Sequence, residues 1–220
     1  MIVDERFITY INSLDKGNTE FLNQLEQQAL QDHVPIIRRE MQSLLKVLIA
    51  IKQPKRILEV GTAVGFSSIL MGEYGRKDSQ IITIENYEKR IPIARENIKK
   101  AGMEEKIHLI QGDALEVMKE LEPSFDFIFM DAAKGQYINF FPECLRLLSD
   151  GGVLVSDNVL QDGDIIESRY AVCRRNRTIH SRMREYLYTL KNHPQLSTAI
   201  LPLGDGVTIS TKCDFANGVG

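Results

Sequence analysis

Five short apolar runs, which alternate with segments of helical spacing, constrain the fold of this chain more than any other feature. They begin after Gln53-Pro54 and lack the polar alternation of strands that face water on one side. Such alternation predicts right-handed crossovers and a mostly parallel sheet, as in a Rossmann-like doubly wound α/β fold. The predicted strands are Arg56–Val60, Ile81–Ile84, Ile107–Ile110, Phe125–Met130 and Val153–Ser156, with predicted helices at Phe66–Tyr74, Glu88–Ala101, Ala114–Leu121 and Tyr137–Leu148.

Both ends of the chain depart from this alternation. Apolar residues in the first fifty positions recur at helical spacing and predict three helices, the third over residues 39–51. Near the other end, a predicted helix at 182–191 precedes two predicted strands, 198–202 and 207–211, joined by a hairpin turn. We therefore expect an N-terminal helical extension packing on the core (1–52), a main domain (53–212) and a tail (213–220).

Composition excludes several classes of protein. The chain has 220 residues, 43% of them hydrophobic, and a net charge of −3, which fits one globular domain without an overall basic field for nucleic acid. The three cysteines are too widely spaced for a disulfide framework or a zinc pair, which favours a reducing compartment. The N-terminal segment lacks a long apolar run, so we expect a cytoplasmic protein without a signal peptide or membrane span.

The ends of the first three predicted strands carry a pattern typical of nucleotide binding. The first strand runs into a turn with Gly61 and Gly65, where Ser67 can add a hydroxyl near the next helix N-terminus. Glu85 ends the second strand, where a carboxylate can accept hydrogen bonds from ribose hydroxyls. Asp113 follows the third strand, within reach of an adenine amine. Each has a plain alternative as a turn glycine, a solvated acid or a helix cap, but their joint placement favours a site.

The next two strand ends carry oxygen ligands. Asp131 follows the fourth strand, and Asp157 and Asn158 follow the fifth, so adjacent parallel strands would bring them to one rim. Two carboxylates and an amide oxygen suit Mg²⁺ or Mn²⁺ better than zinc. Lys134, three residues past Asp131, could accept a proton beside such a cation. The alternatives are an Asx turn, a helix cap and a surface lysine.

At these motifs the sequence resembles the class I S-adenosylmethionine-dependent methyltransferases, specifically the metal-dependent catechol and caffeoyl-CoA O-methyltransferase group. The phrases LEVGTAVGFS, ITIE, GDA, FIFMDAAKGQY and VSDNVL carry the resemblance, which departs from the broader class at Ala63, where a further glycine often stands. It implies a seven-stranded sheet with a reversed last strand, a proton-accepting role for Lys134 and a homodimer. The residues that we assign to the cofactor are Ile37, Glu59, Gly61, Ser67, Glu85, Asp113, Ala114 and Asp131.

Residues 169–184 hold six arginines and no acid, directly after the predicted metal strand. A basic cluster beside the pocket of an acidic protein favours an anionic acceptor such as nucleic-acid phosphate or a coenzyme A ester. The alternative is a solvated helix face paired with Glu167 and Glu185. The candidate substrate or RNA contacts are Arg38, Arg39, Arg174, Arg175, Arg177 and Arg182.

Within the group, the chain resembles the bacterial tRNA 5-hydroxyuridine methyltransferases in HVPI, in DAAKGQY, in DNVL and in a late NHP…PLGDG stretch. That resemblance implies methylation of the wobble 5-hydroxyuridine in the tRNA anticodon loop, whose adjacent oxygens could chelate a metal as a catechol does. Two alternatives remain open at this stage. One is a small-molecule catechol or caffeoyl-CoA-type O-methyltransferase acting on a hydroxylated aromatic, and the other is a nucleotide-binding protein without catalysis.

Overall fold

The computed structural model describes residues 3–213, so the predicted tail beyond Cys213 lies outside the described residues. A seven-stranded sheet forms its centre, in the order β3-β2-β1-β4-β5-β7-β6. Strands β1 to β5 pair in parallel, and β7 is antiparallel to both of its neighbours, so the expected reversed last strand is confirmed. The strands are β1 (Arg56–Val60), β2 (Gln80–Glu85), β3 (Ile107–Gln111), β4 (Phe125–Met130), β5 (Leu148–Ser156), β6 (Leu196–Leu201) and β7 (Val207–Lys212).

Helices cover both faces of the sheet. They are α1 (Glu5–Ser13), α2 (Glu20–Gln31), α3 (Arg39–Lys52), α4 (Phe66–Tyr74), α5 (Ile91–Lys100), α6 (Ala114–Glu120), α7 (Tyr137–Leu147) and α8 (Arg177–Asn192). Alternate residues of β4 enter two separate cores: Ile128 packs with α6, α7 and α8, whereas Phe127 packs with α2, α3, α4 and α5. Because both faces are covered, the strands show the continuous apolar runs from which they were predicted.

Three element boundaries differ from the sequence prediction by three residues or more. Helix α8 begins at Arg177 rather than 182, because His180 and Met183 supply buried positions among the arginines. Strand β5 begins at Leu148 rather than 153, since Gly151 and Gly152 interrupt its apolar pattern. Helix α5 begins at Ile91, where the following proline occupies a first-turn position that needs no N–H donor.

The N-terminal helices differ in how they pack. Helices α2 and α3 bury Leu22, Leu45 and Ile49 against α4, whereas α1 buries none of its residues. Within residues 3–213, no helix combines the length and the apolar character that crossing a bilayer would require.

Candidate active site

A cavity of about 780 Å³ lies at the carboxyl ends of the parallel strands, where open α/β sheets bind their ligands. Residues after β1, β2, β3, β4 and β5 line it, together with a segment before α3 and the turn between β6 and β7. Seven of the residues assigned to the cofactor from the sequence line this cavity: Ile37, Gly61, Ser67, Glu85, Asp113, Ala114 and Asp131.

The turn after β1 brings the backbone close to the cavity. Gly61 has φ +102°, and a Cβ atom there would overlap the backbone carbonyl of Asp131. Ala63 also lies in the left-handed region, with φ +48°, at the position where the broader class often carries glycine. Ala63 therefore keeps the backbone conformation that glycine would adopt, with the modest strain of an alanine in this region.

The Glu85 carboxylate is fixed by three backbone N–H groups. Oε2 accepts from Ala63 N at 2.8 Å, and Oε1 accepts from Asn86 N at 3.0 Å and Tyr87 N at 2.9 Å. This arrangement holds the strained turn after β1 against the tip of β2. The carboxylate is thereby held rigid at the cavity wall, and an ionised carboxylate keeps acceptor capacity for a ligand hydroxyl.

Asp113 serves as the N-cap of α6, as the structural alternative predicted. Its Oδ1 accepts from Leu115 N at 3.0 Å and Glu116 N at 3.3 Å. Within residues 3–213, Oδ2 of Asp113 accepts no hydrogen bond, and the residue lines the cavity. Capping one oxygen therefore orients the carboxyl group without consuming its other oxygen.

Glu59 lies behind the cavity wall. Its side chain is fully buried, and Oε2 accepts hydrogen bonds from the Ser68 and Thr83 hydroxyls. The other oxygen, Oε1, is buried and has no hydrogen-bond partner among residues 3–213. Burial raises the pKa of Glu59 to about 7, although the hydroxyl hydrogen bonds oppose the shift. Glu59 thus joins β1 to β2 and α4 behind the cavity, and it does not line the cavity as its assignment to the cofactor from the sequence had predicted.

We expect Glu59→Gln to remove part of the pH dependence of stability. The folded pKa lies near 7 and the ordinary value is 4.5, so the folded state retains a proton that the unfolded state releases. The stabilising contribution is therefore complete below pH 4.5 and is lost as pH rises through about 7; it amounts to about 3 kcal/mol. Urea unfolding of wild type and variant between pH 5 and 8 measures the difference.

Glutamine mimics the neutral acid, so the free energy of unfolding of Glu59→Gln should fall less over this range than that of wild type. Glu104→Gln removes an exposed carboxyl group on the loop before β3 and is the matched control. Equal pH slopes for the wild type and Glu59→Gln would contradict the raised pKa.

The tips of β4 and β5 bring the three predicted metal ligands together. Asn158 Nδ2 donates to Asp131 Oδ1 at 2.9 Å, and Asp157 Oδ1 accepts from the backbone N of Asn158 at 2.7 Å. The Tyr137 hydroxyl is within 3.0 Å of the Asp157 carbonyl and 3.3 Å of the Met130 carbonyl, so it ties the two tips from below.

This donor set fits a hard divalent cation. Burial raises the pKa values of Asp131 and Asp157, and the charge of Asp131 adds to the shift at Asp157. Within the described part of the chain, Oδ2 of neither carboxylate accepts a hydrogen bond. Two buried carboxylates with free oxygens are unfavourable alone, and a dication between them would relieve their repulsion. Asn158 has φ +61°, a conformation that asparagine tolerates better than most residues.

Lys134 does not line the cavity itself, but its charge is near enough to Asp131 and Asp157 to oppose the rise of their pKa values, and it forms an ion pair that the sequence did not reveal. Its Nζ lies 2.6 Å from Asp205 Oδ2, in the turn between β6 and β7. The Asp205 side chain is only 3% exposed and the residue lines the cavity, whereas Lys134 is 34% exposed. In the sequence Asp205 is only a residue of the hairpin turn, because no local pattern marks a partner 71 positions away.

A segment before α3 forms one wall of the cavity and is anchored by buried polar groups. We call residues 33–38 the N-terminal strap; Ile37 and Arg38 within it line the cavity. Gln42, 2% exposed, donates from Nε2 to the Ile37 carbonyl at 3.0 Å and to Glu26 Oε1 at 3.1 Å. Arg38 faces Asp162 across the rim, at 3.6 Å. Buried glutamine in a helix is the only sequence signal for this anchor.

The candidate arginines separate into groups. Arg38 is the only one of the six that lines the cavity within residues 3–213, and Arg39 pairs with Glu26 at 3.3 Å. Arg177 donates to the Val172 and Tyr170 carbonyls, and Arg182 donates to the Gly135 carbonyl at 3.1 Å. The remaining two, Arg174 and Arg175, are exposed. The structure therefore does not gather the arginine-rich stretch into one patch at the cavity.

A doubly wound sheet whose last strand is reversed, with a nucleotide-type cavity beside an all-oxygen ligand set, is typical of an S-adenosylmethionine-dependent methyltransferase. The family model described as O-methyltransferase matches residues 12–213, and this chain belongs to that family. It is therefore an S-adenosylmethionine-dependent O-methyltransferase.

Individual relatives agree with this membership. The caffeoyl-CoA O-methyltransferase of Medicago sativa is 33% identical over 179 residues, 76% of this chain and 71% of that protein. The catechol O-methyltransferase of Niastella koreensis is 35% identical over 127 residues, 56% of this chain and 58% of that protein. The SAH-bound structure of a Podospora anserina methyltransferase superposes with a TM-score of 0.86 at 28% identity, covering 96% of this chain and 95% of that one.

Proposed function

We propose that this enzyme moves the methyl group of S-adenosylmethionine to one hydroxyl of a small aromatic compound that carries two adjacent hydroxyls, with Mg²⁺ or Mn²⁺ at the Asp131, Asp157 and Asn158 side chains. The observation that carries the proposal is the meeting of an oxygen-only ligand set with a nucleotide-type cavity at one sheet edge. Two adjacent hydroxyls suit such a set, because both oxygens can complete the coordination of one hard cation.

The cofactor end of the cavity is formed by β1, β2 and β3. Glu85, fixed by backbone donors, would accept hydrogen bonds from the ribose hydroxyls, and the free oxygen of Asp113 would accept from the adenine amine. Gly61 lets the cofactor approach the backbone closely, and Ile37 covers it from the strap. When bound, S-adenosylmethionine supplies an electrophilic methyl group on a sulfonium.

The acceptor end is formed by β4, β5 and the turn between β6 and β7. A divalent cation there supplies charge that favours the ionised form of a bound hydroxyl and fixes its place. Asp131, Asp157 and Asn158 would hold that cation, and Lys134 Nζ would take up the proton that the hydroxyl loses. Holding acceptor and donor in one cavity replaces a bimolecular encounter by a positioned one, worth several orders of magnitude in rate.

The arginines favour a small acceptor over an RNA loop. Phosphate binding requires free guanidinium groups, yet four of the six candidates are held by a carboxylate or by backbone carbonyls of this chain. The similarity to relatives named for caffeoyl-CoA and catechol also supports a small acceptor. Methylation of 5-hydroxyuridine in tRNA is the competing acceptor, because its adjacent oxygens present the same chelating geometry and because Arg174 and Arg175 stay exposed.

We expect methyl transfer to catechol, caffeic acid or caffeoyl-CoA, and about 10²-fold less to resorcinol, whose hydroxyls are not adjacent. Resorcinol is a matched control because it has the same atoms and differs only in spacing. Product formation from labelled S-adenosylmethionine, followed by mass spectrometry with and without EDTA, measures this. Methylation of 5-hydroxyuridine-containing tRNA, with no turnover of any vicinal diol, would overturn the small-acceptor proposal.

A further inference from the structure

We infer that Asp205 is the positioning residue for Lys134: it holds the lysine Nζ at the acceptor end of the cavity and neutralises the ammonium that forms there. The inference rests on the proposed function, in which Lys134 accepts the proton of the acceptor hydroxyl. It adds a residue from the turn between β6 and β7 to a site otherwise built from the tips of parallel strands.

The geometry of Asp205 is that of a fixed carboxylate. Oδ2 accepts from Lys134 Nζ at 2.6 Å, and Oδ1 accepts from the backbone N–H of Asp162. The Asp205 carbonyl accepts from Leu160 N at 2.8 Å, and the Gly206 carbonyl accepts from Val159 N at 3.0 Å. Three of these contacts attach the turn to the chain segment that follows the tip of β5, and the contact with Lys134 attaches it to the segment after β4.

The turn cannot move away from this segment easily. Gly206 has φ +86°, and a Cβ atom there would overlap the side chain of Leu160. The close approach therefore requires glycine after Asp205 and fixes the carboxylate relative to the metal ligands. Asp205 is also near enough to Asp157 for its charge to raise the pKa of Asp157.

A lysine side chain needs such an anchor. Its four-carbon stem carries about 2 kcal/mol of rotamer entropy, and Lys134 is one-third exposed at the cavity edge. Buried carboxylates are unfavourable without a partner, so the 3% exposed Asp205 side chain and the lysine stabilise one another. In the described residues, Lys134 is the only ion-pair partner of Asp205.

The Lys134–Asp205 pair receives the proton that the acceptor hydroxyl loses in the reaction. In the ion pair Lys134 is an ammonium, so it first releases one proton to solvent. The acceptor O–H bond then breaks and an N–H bond forms on the Lys134 amine, while the O–CH₃ bond forms and the S–CH₃ electron pair returns to sulfur. The resulting ammonium faces the Asp205 carboxylate at hydrogen-bond distance. Because Lys134 is partly exposed, the proton then leaves to solvent.

A double-mutant cycle of Asp205→Asn and Lys134→Met tests the inference. Asparagine keeps an acceptor oxygen for the Asp162 N–H but removes the charge opposite Lys134. We expect Asp205→Asn to lower kcat about 10- to 100-fold, since a misplacement of about 1 Å costs about that much. The Kd of S-adenosylhomocysteine and the KM of the acceptor should change less than about twofold.

The double variant is the decisive measurement. If Asp205 acts through Lys134, the double variant has the kcat of Lys134→Met within about twofold. If the kcat losses of the two single variants multiply in the double variant, Asp205 acts independently of Lys134. That result would overturn the inference and leave the proposed function standing. Wild-type kcat in Lys134→Met would overturn the proton-acceptor role in the proposed function and the inference with it.

Two further variants keep the test informative. Asp15→Asn disrupts an ion pair with Lys46 far from the cavity, and it should leave kcat unchanged. If Asp205→Asn fails to fold, Asp205→Glu retains the charge and displaces it by one methylene. The same loss of kcat at unchanged S-adenosylhomocysteine affinity is then expected, and wild-type kcat would overturn the inference.

Discussion

Asp157→Ala is expected to lower kcat about 10³-fold at saturating Mg²⁺, while the affinity for S-adenosylhomocysteine changes little. The substitution removes one of two carboxylates from the ligand set, and charge stabilisation by a cation is worth several kcal/mol. Initial rates over a Mg²⁺ titration measure the first effect, and calorimetric titration with S-adenosylhomocysteine measures the second.

Stability supplies a readout that does not depend on turnover. Wild type should gain unfolding free energy when Mg²⁺ is added, because the cation binds the folded state, whereas Asp157→Ala should gain little. In EDTA, the variant should be at least as stable as wild type, since it removes one of two like charges buried together. Asp150→Ala, at the exposed opposite end of β5, is the matched control. Wild-type turnover of Asp157→Ala at high Mg²⁺ would refute the metal site.

Gly61→Ala is expected to cost on the order of 4 kcal/mol of unfolding free energy and to abolish binding of S-adenosylhomocysteine. The added Cβ would overlap the Asp131 carbonyl, and backbone atoms on both sides cannot move without separating β1 from β4. That separation would displace the turn after β1 and Asp131 together. Urea unfolding and equilibrium binding measure the two effects.

The backbone strain has to be distinguished from the overlap. Gly163 has nearly the same positive φ, +99°, but nothing lies within 4 Å of the atom that Gly163→Ala would add. This substitution should cost only about 1 to 2 kcal/mol, the price of the left-handed conformation, and should leave binding intact. Equal losses in the two variants would show that conformation rather than contact explains Gly61.

Much of the fold follows from the sequence because the strands are buried on both faces. A run such as Phe125–Met130 has no polar alternation, and its position after a predicted helix fixes its parallel pairing. The placement of Asp131 and Asp157 at one edge followed from the same argument, since adjacent parallel strands end on the same side. The structure brings both side chains to one cavity.

Interactions between distant segments were not predictable in this way. The pairing of Lys134 with Asp205 depends on how the last hairpin packs, which periodicity does not report. The arginine-rich stretch looked like a binding surface, but Arg177 and Arg182 satisfy backbone carbonyls that only the folded chain creates. The N-terminal strap likewise lies at the cavity because Gln42 and Glu26 anchor it, and neither residue carries a recognisable motif.

The strap also couples ligand exchange to the N-terminal helices α2 and α3. Ile37 and Arg38 wall the cavity from a segment that precedes the whole sheet in the chain, and Arg38 meets Asp162 across the rim. We therefore expect cofactor exchange to be accompanied by separation of Arg38 from Asp162 at that rim. Occupancy of the cavity, conversely, ties α2 and α3 to the catalytic half of the molecule, so protection of their amides from hydrogen exchange should rise with ligand concentration.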